Sequence, residues 1–380
     1  MKVVVAIDSF KGSLSSNHAG QCVADGVLAV YPDATVKVVP VADGGEGTVD
    51  ALALGMKGKR EVLTVAGPLH QPATATYGVL AESKTAIIEM AQASGLTLIS
   101  EDMRNPLHTT TYGVGEIIKE AIHQGCRQFI VGIGGSATND AGVGMLQALG
   151  FEFYNAAGEL VGSGGRELSQ IVSIKTENAL KELAECNFKV ACDVDNPLYG
   201  TNGAAHIYGP QKGATPEIVA ELDQGLIHFS KIVEKELDKD IAHVPGAGAA
   251  GGLGYGFLGF LNAVLEPGVD IIINATSLED HIKKADIVVT GEGRIDHQTA
   301  MGKAPIGITK IANKYNKKVI GFAGSISDDA TTCNQEGMSA YFSIQQGPIT
   351  LDEAMATEVA AENMKATVTQ VFRLIKAVSN

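Results

Sequence analysis

Residues 2–7 read KVVVAI, an unbroken apolar run closed by Asp8. A strand that is apolar on both faces must be covered on both, which is the condition of a central strand in a parallel sheet. A parallel partner requires a crossover, and the next segment supplies one. Ser15 and Ser16 can cap a helix in which Ala19, Cys22, Val23, Gly26, Val27 and Val30 recur at helical spacing, up to a stop at Tyr31-Pro32. Residues 35–41 (TVKVVPV) then give a second strand, completing a βαβ unit with a right-handed crossover.

The same grammar returns near the C-terminus. Residues 286–290, 318–323 and 339–344 read as strands, and residues 303–315 and most of 351–378 as helices. The middle differs. Short, closely spaced runs at 61–65, 73–80 and 85–90 suggest antiparallel hairpins, followed by a helix over 109–124, a strand over 128–133, another helix, a strand over 187–192 and a long amphipathic helix over 216–237. The expected fold class is α/β with two domains. A flavodoxin/Rossmann-like, doubly wound parallel sheet is built from both chain ends (residues 1–44 and 283–380), and a mixed α/β domain (residues 45–282) is inserted between them.

Composition narrows the function. With 45% hydrophobic and 19% charged residues the chain is globular rather than disordered. Its 29 basic against 43 acidic residues leave a net charge of -14 without a basic tract, which argues against nucleic acid and anionic membrane surfaces as partners. Five cysteines without a C-x-x-C pair, and no signal-peptide pattern, fit reduced thiols and a cytoplasmic location. Residues 244–265 carry no charge, but Pro245 and the glycines among them point to a buried turn entering a core helix rather than to a membrane span. Glycine itself is in excess, 45 of 380 residues against a usual share of about 7%.

The glycines and acids gather where strands of an open α/β sheet end, which is where such sheets bind ligands. Beyond the expected strands lie Asp8, Ser9 and Lys11; Asp43 and Glu46; Glu292, Arg294 and Asp296 with Lys303 nearby; and residues 324–329. In the inserted domain, residues 131–140 (VGIGGSATND) follow a strand, and a helix carrying Ala141, Met145, Leu146 and Leu149 on one face is expected after them. Strand, glycine loop and capped helix together can present N–H groups and a positive helix end to a phosphate, which makes Gly134, Gly135, Ser136, Thr138 and Asn139 candidates. The loop is not a Walker A motif. Residues 246–251 (GAGAAG) match G-x-G-x-x-G but follow no good strand, so a nicotinamide site is not expected. Residues 191–198 (ACDVDNPL) end a strand in Asp193 and Asp195, carboxylates able to hold Mg²⁺ or take a hydroxyl proton, or simply to form an Asx turn. Lys212, in a glycine-flanked loop, could meet a phosphate. Many glycines, several acids and a few cations suit phosphoryl transfer to a small polar acceptor, a reaction governed by positioning and charge stabilisation.

Eight ordered strings resemble the bacterial glycerate kinase family, class I: DSFKGSLSS (8–16), PVADGGEGT (40–48), IEMAQASGL (88–96), GIGGSATNDAG (132–142), ACDVDNPLYG (191–200), GPQKGATPE (209–217), PGAGAAGGLG (245–254) and VVTGEGRID (288–296). The resemblance spans nearly the whole chain; Gly12 and Val114 stand where relatives would be expected to carry glutamate and threonine. It implies an ATP- and Mg²⁺-dependent kinase that converts D-glycerate to 2-phosphoglycerate in glyoxylate and glucarate catabolism, with 3-phosphoglycerate, or another short hydroxy acid as acceptor, as the alternative. The partners implied are ATP and the small acid, with no nucleic acid or membrane, in a monomer or homodimer. The resemblance assigns no atom-level roles. From residue chemistry, Asp193 is expected as the hydroxyl base or a Mg²⁺ ligand, Asp43 and Glu46 as metal or substrate ligands, and residues 134–139 as the phosphate cradle. Lys11, Arg294 and Lys303 would neutralise the carboxylate and the moving phosphoryl group.

Overall fold

The apolar run at the N-terminus becomes β1 (Lys2–Val5), in which Val3, Val4 and Val5 are all buried. The computed structural model describes residues 1–41, 47, 49 and 58–379. They divide into two units, residues 1–41 with 269–379, and residues 47, 49 and 58–268. In chain order the other strands are β2 (Thr35–Val38); then β3 (Lys59–Ala66), β4 (Pro72–Leu80), β5 (Thr85–Glu89), β6 (Gln128–Gly132), β7 (Glu152–Tyr154), β8 (Ser173–Lys175), β9 (Asn187–Ala191) and β10 (Val264–Glu266); and finally β11 (Ile287–Ile295), β12 (Lys318–Ile326) and β13 (Ala340–Ser343).

In the first unit the order is β13-β12-β11-β1-β2, and every neighbouring pair is parallel. Counted within the unit this is the 2-1-3-4-5 order of flavodoxin-like sheets. From β1 the chain moves to β2 on one side, and β11 lies on the other, so the topological switch point falls between β1 and β11. The helix Ser16–Leu28 is capped by Ser15 Oγ, which accepts from the His18 N–H at 3.2 Å, and it covers one face together with the helix Thr357–Val378. Val23, Val27, Met364, Val368 and Phe372 fill the core between these helices and the sheet residues Val3, Val5 and Phe322.

The structure corrects the sequence reading at one functionally important place. The residues around Glu292 and Arg294, expected as a loop, continue β11, because β12 extends with them and keeps the ladder paired: Glu292 lies opposite Ala323 and Arg294 opposite Ser325. Glu292 and Arg294 are therefore held by strand geometry.

The second unit has a six-stranded mixed sheet in the order β10-β9-β6-β5-β4-β3. The strands β3, β4 and β5 are antiparallel as expected, and β5, β6, β9 and β10 run parallel. The short strands β7, β8 and β10 carry too few residues for periodicity to reveal them. Phe129 and Phe188 stack at 4.6 Å within a core that also contains Phe153, Phe229, Tyr255 and Phe257. The uncharged stretch after Val244 lies in that core as a glycine turn followed by a helix to Leu261, with left-handed backbone at Ala250, Gly251 and Gly252. No helix among the described residues is long and apolar enough to cross a membrane.

Candidate active site

In the first unit a cavity of about 670 Å³ opens at the carboxyl ends of β1, β11 and β12, at the switch point. Asp8, Ser9, Lys11, Glu292, Arg294, Asp296 and Lys303 all line it. Glu292 is buried, and its two oxygens are held separately: Thr299 Oγ1 donates to Oε1 at 2.7 Å and Lys303 Nζ to Oε2 at 3.3 Å. Burial raises the Glu292 pKa, opposed by the Thr299 hydrogen bond and the Lys303 charge. Asp296 caps the short helix His297–Ala300 through a reciprocal pair with Thr299 and lies 3.5 Å from Arg294 Nε. Asp8 is buried and accepts from the Ser9 N–H at 2.6 Å. Arg294 and Lys303 are thus placed by neighbouring acids.

In the second unit, register puts Glu89 beside Gly132, Gly132 beside Ala191, and Ala191 beside Glu266, so four parallel strands end in one row. The loops beyond them leave the same edge. Asp193 follows β9, is exposed, and accepts from the Gly268 N–H at 3.1 Å. Glu89, at the end of β5, is buried and accepts from the Val49 N–H at 2.7 Å. Sequence reasoning passed over Glu89, since a single acid closing an apolar strand looks like ordinary strand punctuation; only the register shows it sharing an edge with the glycine loop and Asp193.

The glycine loop differs from expectation. Gly134 and Gly135 are exposed, whereas Ser136, Thr138 and Asn139 are buried. The helix that follows is only Val143–Ala148, preceded by left-handed backbone at Ala141 and Gly142. Its N-terminus is already taken by an anion of the chain's own. The buried Asp140 carboxylate accepts from the N–H groups of Gly142 (3.2 Å), Gly144 (3.3 Å) and Thr111 (2.8 Å), and from Thr111 Oγ1 (2.9 Å). Burial raises the Asp140 pKa, and those hydrogen bonds oppose the rise. The expected arrangement of helix dipole facing a phosphate is therefore absent here; what the loop offers a ligand is the exposed backbone of Gly134 and Gly135.

Lys212 lies at the inner side of this loop with only 1% of its surface exposed. Its Nζ donates to Ser136 Oγ at 2.7 Å and to the Thr138 carbonyl at 2.6 Å. A neutral amine has two N–H donors, and two acceptors are present. Burial pushes the Lys212 pKa down to about 7, against the pull of Asp140. The unfolded chain keeps this lysine charged up to about pH 10.4, so above about pH 7 the unfolded state binds the extra proton and stability rises with pH. Measured by urea denaturation, the stability of the parent relative to Lys212→Met is expected to grow by on the order of 2 kcal/mol between about pH 7 and about pH 9; a pH-independent difference would mean that the lysine titrates normally.

The structure thus brings Ser9, Lys11, Glu292, Arg294, Asp296 and Lys303 together in one cavity, and Ser136, Thr138 and Lys212 together in one buried cluster. Asn139 is fully buried beside Thr138, and neither its amide atoms nor Thr138 Oγ1 has a hydrogen-bond partner among the described residues. Asp43 and Glu46 lie outside the described residues. Among the described residues no group of three or more His, Cys, Asp or Glu side chains could hold a metal. All five cysteines are free, and burial raises the pKa of each, Cys186 to about 11, so none is a thiolate nucleophile at neutral pH.

Comparison with known proteins gives one consistent result. The model of the glycerate kinase family matches residues 3–376. Glycerate 2-kinase of Escherichia coli K12 is 47% identical over 354 residues, covering 93% of each chain. Glycerate kinase of Bacillus subtilis 168 is 47% identical over 376 residues, 99% of this chain and 98% of the relative. A crystal structure described as a glycerate kinase 2 from Salmonella typhimurium LT2 superposes with a TM-score of 0.92 at 42% identity, covering 100% of this chain and 99% of that one.

Proposed function

The chain belongs to the glycerate kinase family, and on that premise we propose that it transfers the γ-phosphoryl group of ATP to the 2-hydroxyl of D-glycerate, giving 2-phosphoglycerate and ADP. The observation that carries this reading is the match to glycerate 2-kinase along nearly the whole of both chains. The site residues are chemically suited to it. Phosphoryl transfer needs cations around the moving group and a carboxylate to receive the acceptor proton, with little covalent chemistry from the protein.

We assign Asp193 as the group that takes the proton from the 2-hydroxyl as its oxygen bonds to the γ-phosphorus. The bond from that phosphorus to the bridging oxygen of ADP breaks, ADP leaves with the electron pair, and the proton passes from Asp193 to solvent. Within the first unit Lys11, Arg294 and Lys303 are the cations suited to phosphoryl and carboxylate oxygens, and within the second the exposed backbone of Gly134 and Gly135 leaves room for a ligand. Mg²⁺, when bound with ATP, would neutralise phosphate charge. It needs only one or two carboxylates, with phosphate and water completing its shell, so Asp43 and Glu46, or Asp193 itself, suffice as donors. Unpaired cysteines fit a cytoplasmic enzyme, and the family resemblance suggests glyoxylate and glucarate breakdown as its setting.

Phosphorus NMR of the product from ATP, Mg²⁺ and D-glycerate tests the activity and the position together. One phosphomonoester, on C2, is expected. A phosphate on C3 would revise the position, and no ester at all would remove the kinase reading.

A further inference from the structure

The cavity of the first unit is too large, and too much of its lining is apolar, for a three-carbon acid alone. Its volume of about 670 Å³ falls among pockets of roughly 300–1,000 Å³ that enclose drug-sized ligands. Its lining combines Lys11, Arg294 and Lys303 with their acids and the apolar side chains of Phe10, Ile344, Pro348, Ile349, Leu351 and Met355.

A small hydroxy acid offers carboxylate and hydroxyl oxygens and no flat apolar surface. A nucleotide offers a flat base with a polar edge at one end and a string of phosphates at the other. The cavity also lies at the switch point of a flavodoxin-like sheet, where ligands of this kind bind beyond the strand ends. The competing location in the second unit is weaker, because Asp140 already occupies the helix N-terminus behind the glycine loop.

We propose that this cavity is the nucleotide site, with the base against the exposed apolar side chains of Ile349, Leu351 and Met355 and the phosphates directed to Lys11, Arg294 and Lys303. The proposal rests on the kinase reading for its choice of ligand. Arg294 and Lys303 are preset by Asp296 and Glu292, so binding need not order them first.

The test uses the full-length protein and two substitutions away from the proposed chemistry. Ile349→Glu places a charge among the apolar lining residues at a position that is 44% exposed, so folding should survive it. Leu351→Glu does the same at a second lining position, 72% exposed. Titration calorimetry with ADP is expected to give at least a tenfold weaker Kd for each variant, and coupled assays a KM for ATP raised likewise with the KM for glycerate within twofold of the parent. An unchanged ADP Kd in both variants, or a KM shift confined to glycerate, would overturn the placement. So would a parent protein that does not bind ADP. If ADP binding weakens as expected but no phosphate reaches glycerate in the parent, the placement stands and the kinase reading falls.

Discussion

Asp193→Asn is expected to fold like the parent and to turn over about a hundredfold more slowly or worse, the scale on which general bases of phosphoryl and acyl transfer act. The fold should survive because asparagine matches aspartate in shape and the side chain is exposed. Asp193 accepts from the Gly268 N–H at 3.1 Å, a bond that an asparagine carbonyl oxygen can also accept. What asparagine cannot do is take a proton from an attacking hydroxyl. The loss should therefore appear in kcat, with the KM for glycerate little changed, because the acceptor's binding contacts remain. Coupled ADP release gives the kinetics, and a thermal melt shows whether the fold is kept. Turnover within a few-fold of the parent would remove Asp193 from proton transfer and leave it as a turn residue closing β9.

How much of the fold and of each unit's candidate residues could be read from the sequence depended on which forces set each part. Buried parallel strands were legible because their signal is local: residues 2–7 and 318–323 are apolar on both faces whatever surrounds them. The capping serine before the first helix was legible for the same reason. Three features were not. The length of β11 is decided by its partner β12 rather than by its own composition, so Glu292 and Arg294 read as loop residues although a ladder holds them. Glu89 became a candidate only once register aligned it with Gly132 and Ala191. Lys212 read as a lysine able to reach a phosphate, yet its amine is enclosed by Ser136 and Thr138, and nothing in the string GPQKGATPE tells a buried lysine from a solvated one.

The match of residues 246–251 to a dinucleotide fingerprint finds its physical cause in packing, and this leads to the second large effect. Gly251 has φ +70°, and a Cβ placed there would stand 1.9 Å from the Thr138 carbonyl oxygen and 2.6 Å from Asn139 Cα. The Gly251 carbonyl in turn accepts from the Ala141 N–H at 3.0 Å, so the two segments lock backbone against backbone. Gly251→Ala must adopt a left-handed conformation at about 1–2 kcal/mol and also push Thr138 aside, an overpacking cost of about 1–3 kcal/mol. A loss of about 2–5 kcal/mol in urea denaturation is expected, and because Thr138 holds Lys212 through its carbonyl, turnover should fall in whatever fraction remains folded. Gly158 separates the two causes. It has φ +78° with nothing within 4 Å of the added carbon, so Gly158→Ala bears the conformational cost alone, about 1 kcal/mol. The difference between the two variants measures the contact between the glycine turn and the loop. Equal losses would show that backbone conformation alone requires glycine at 251 and that the turn does not brace the loop that carries Ser136, Thr138 and Asp140.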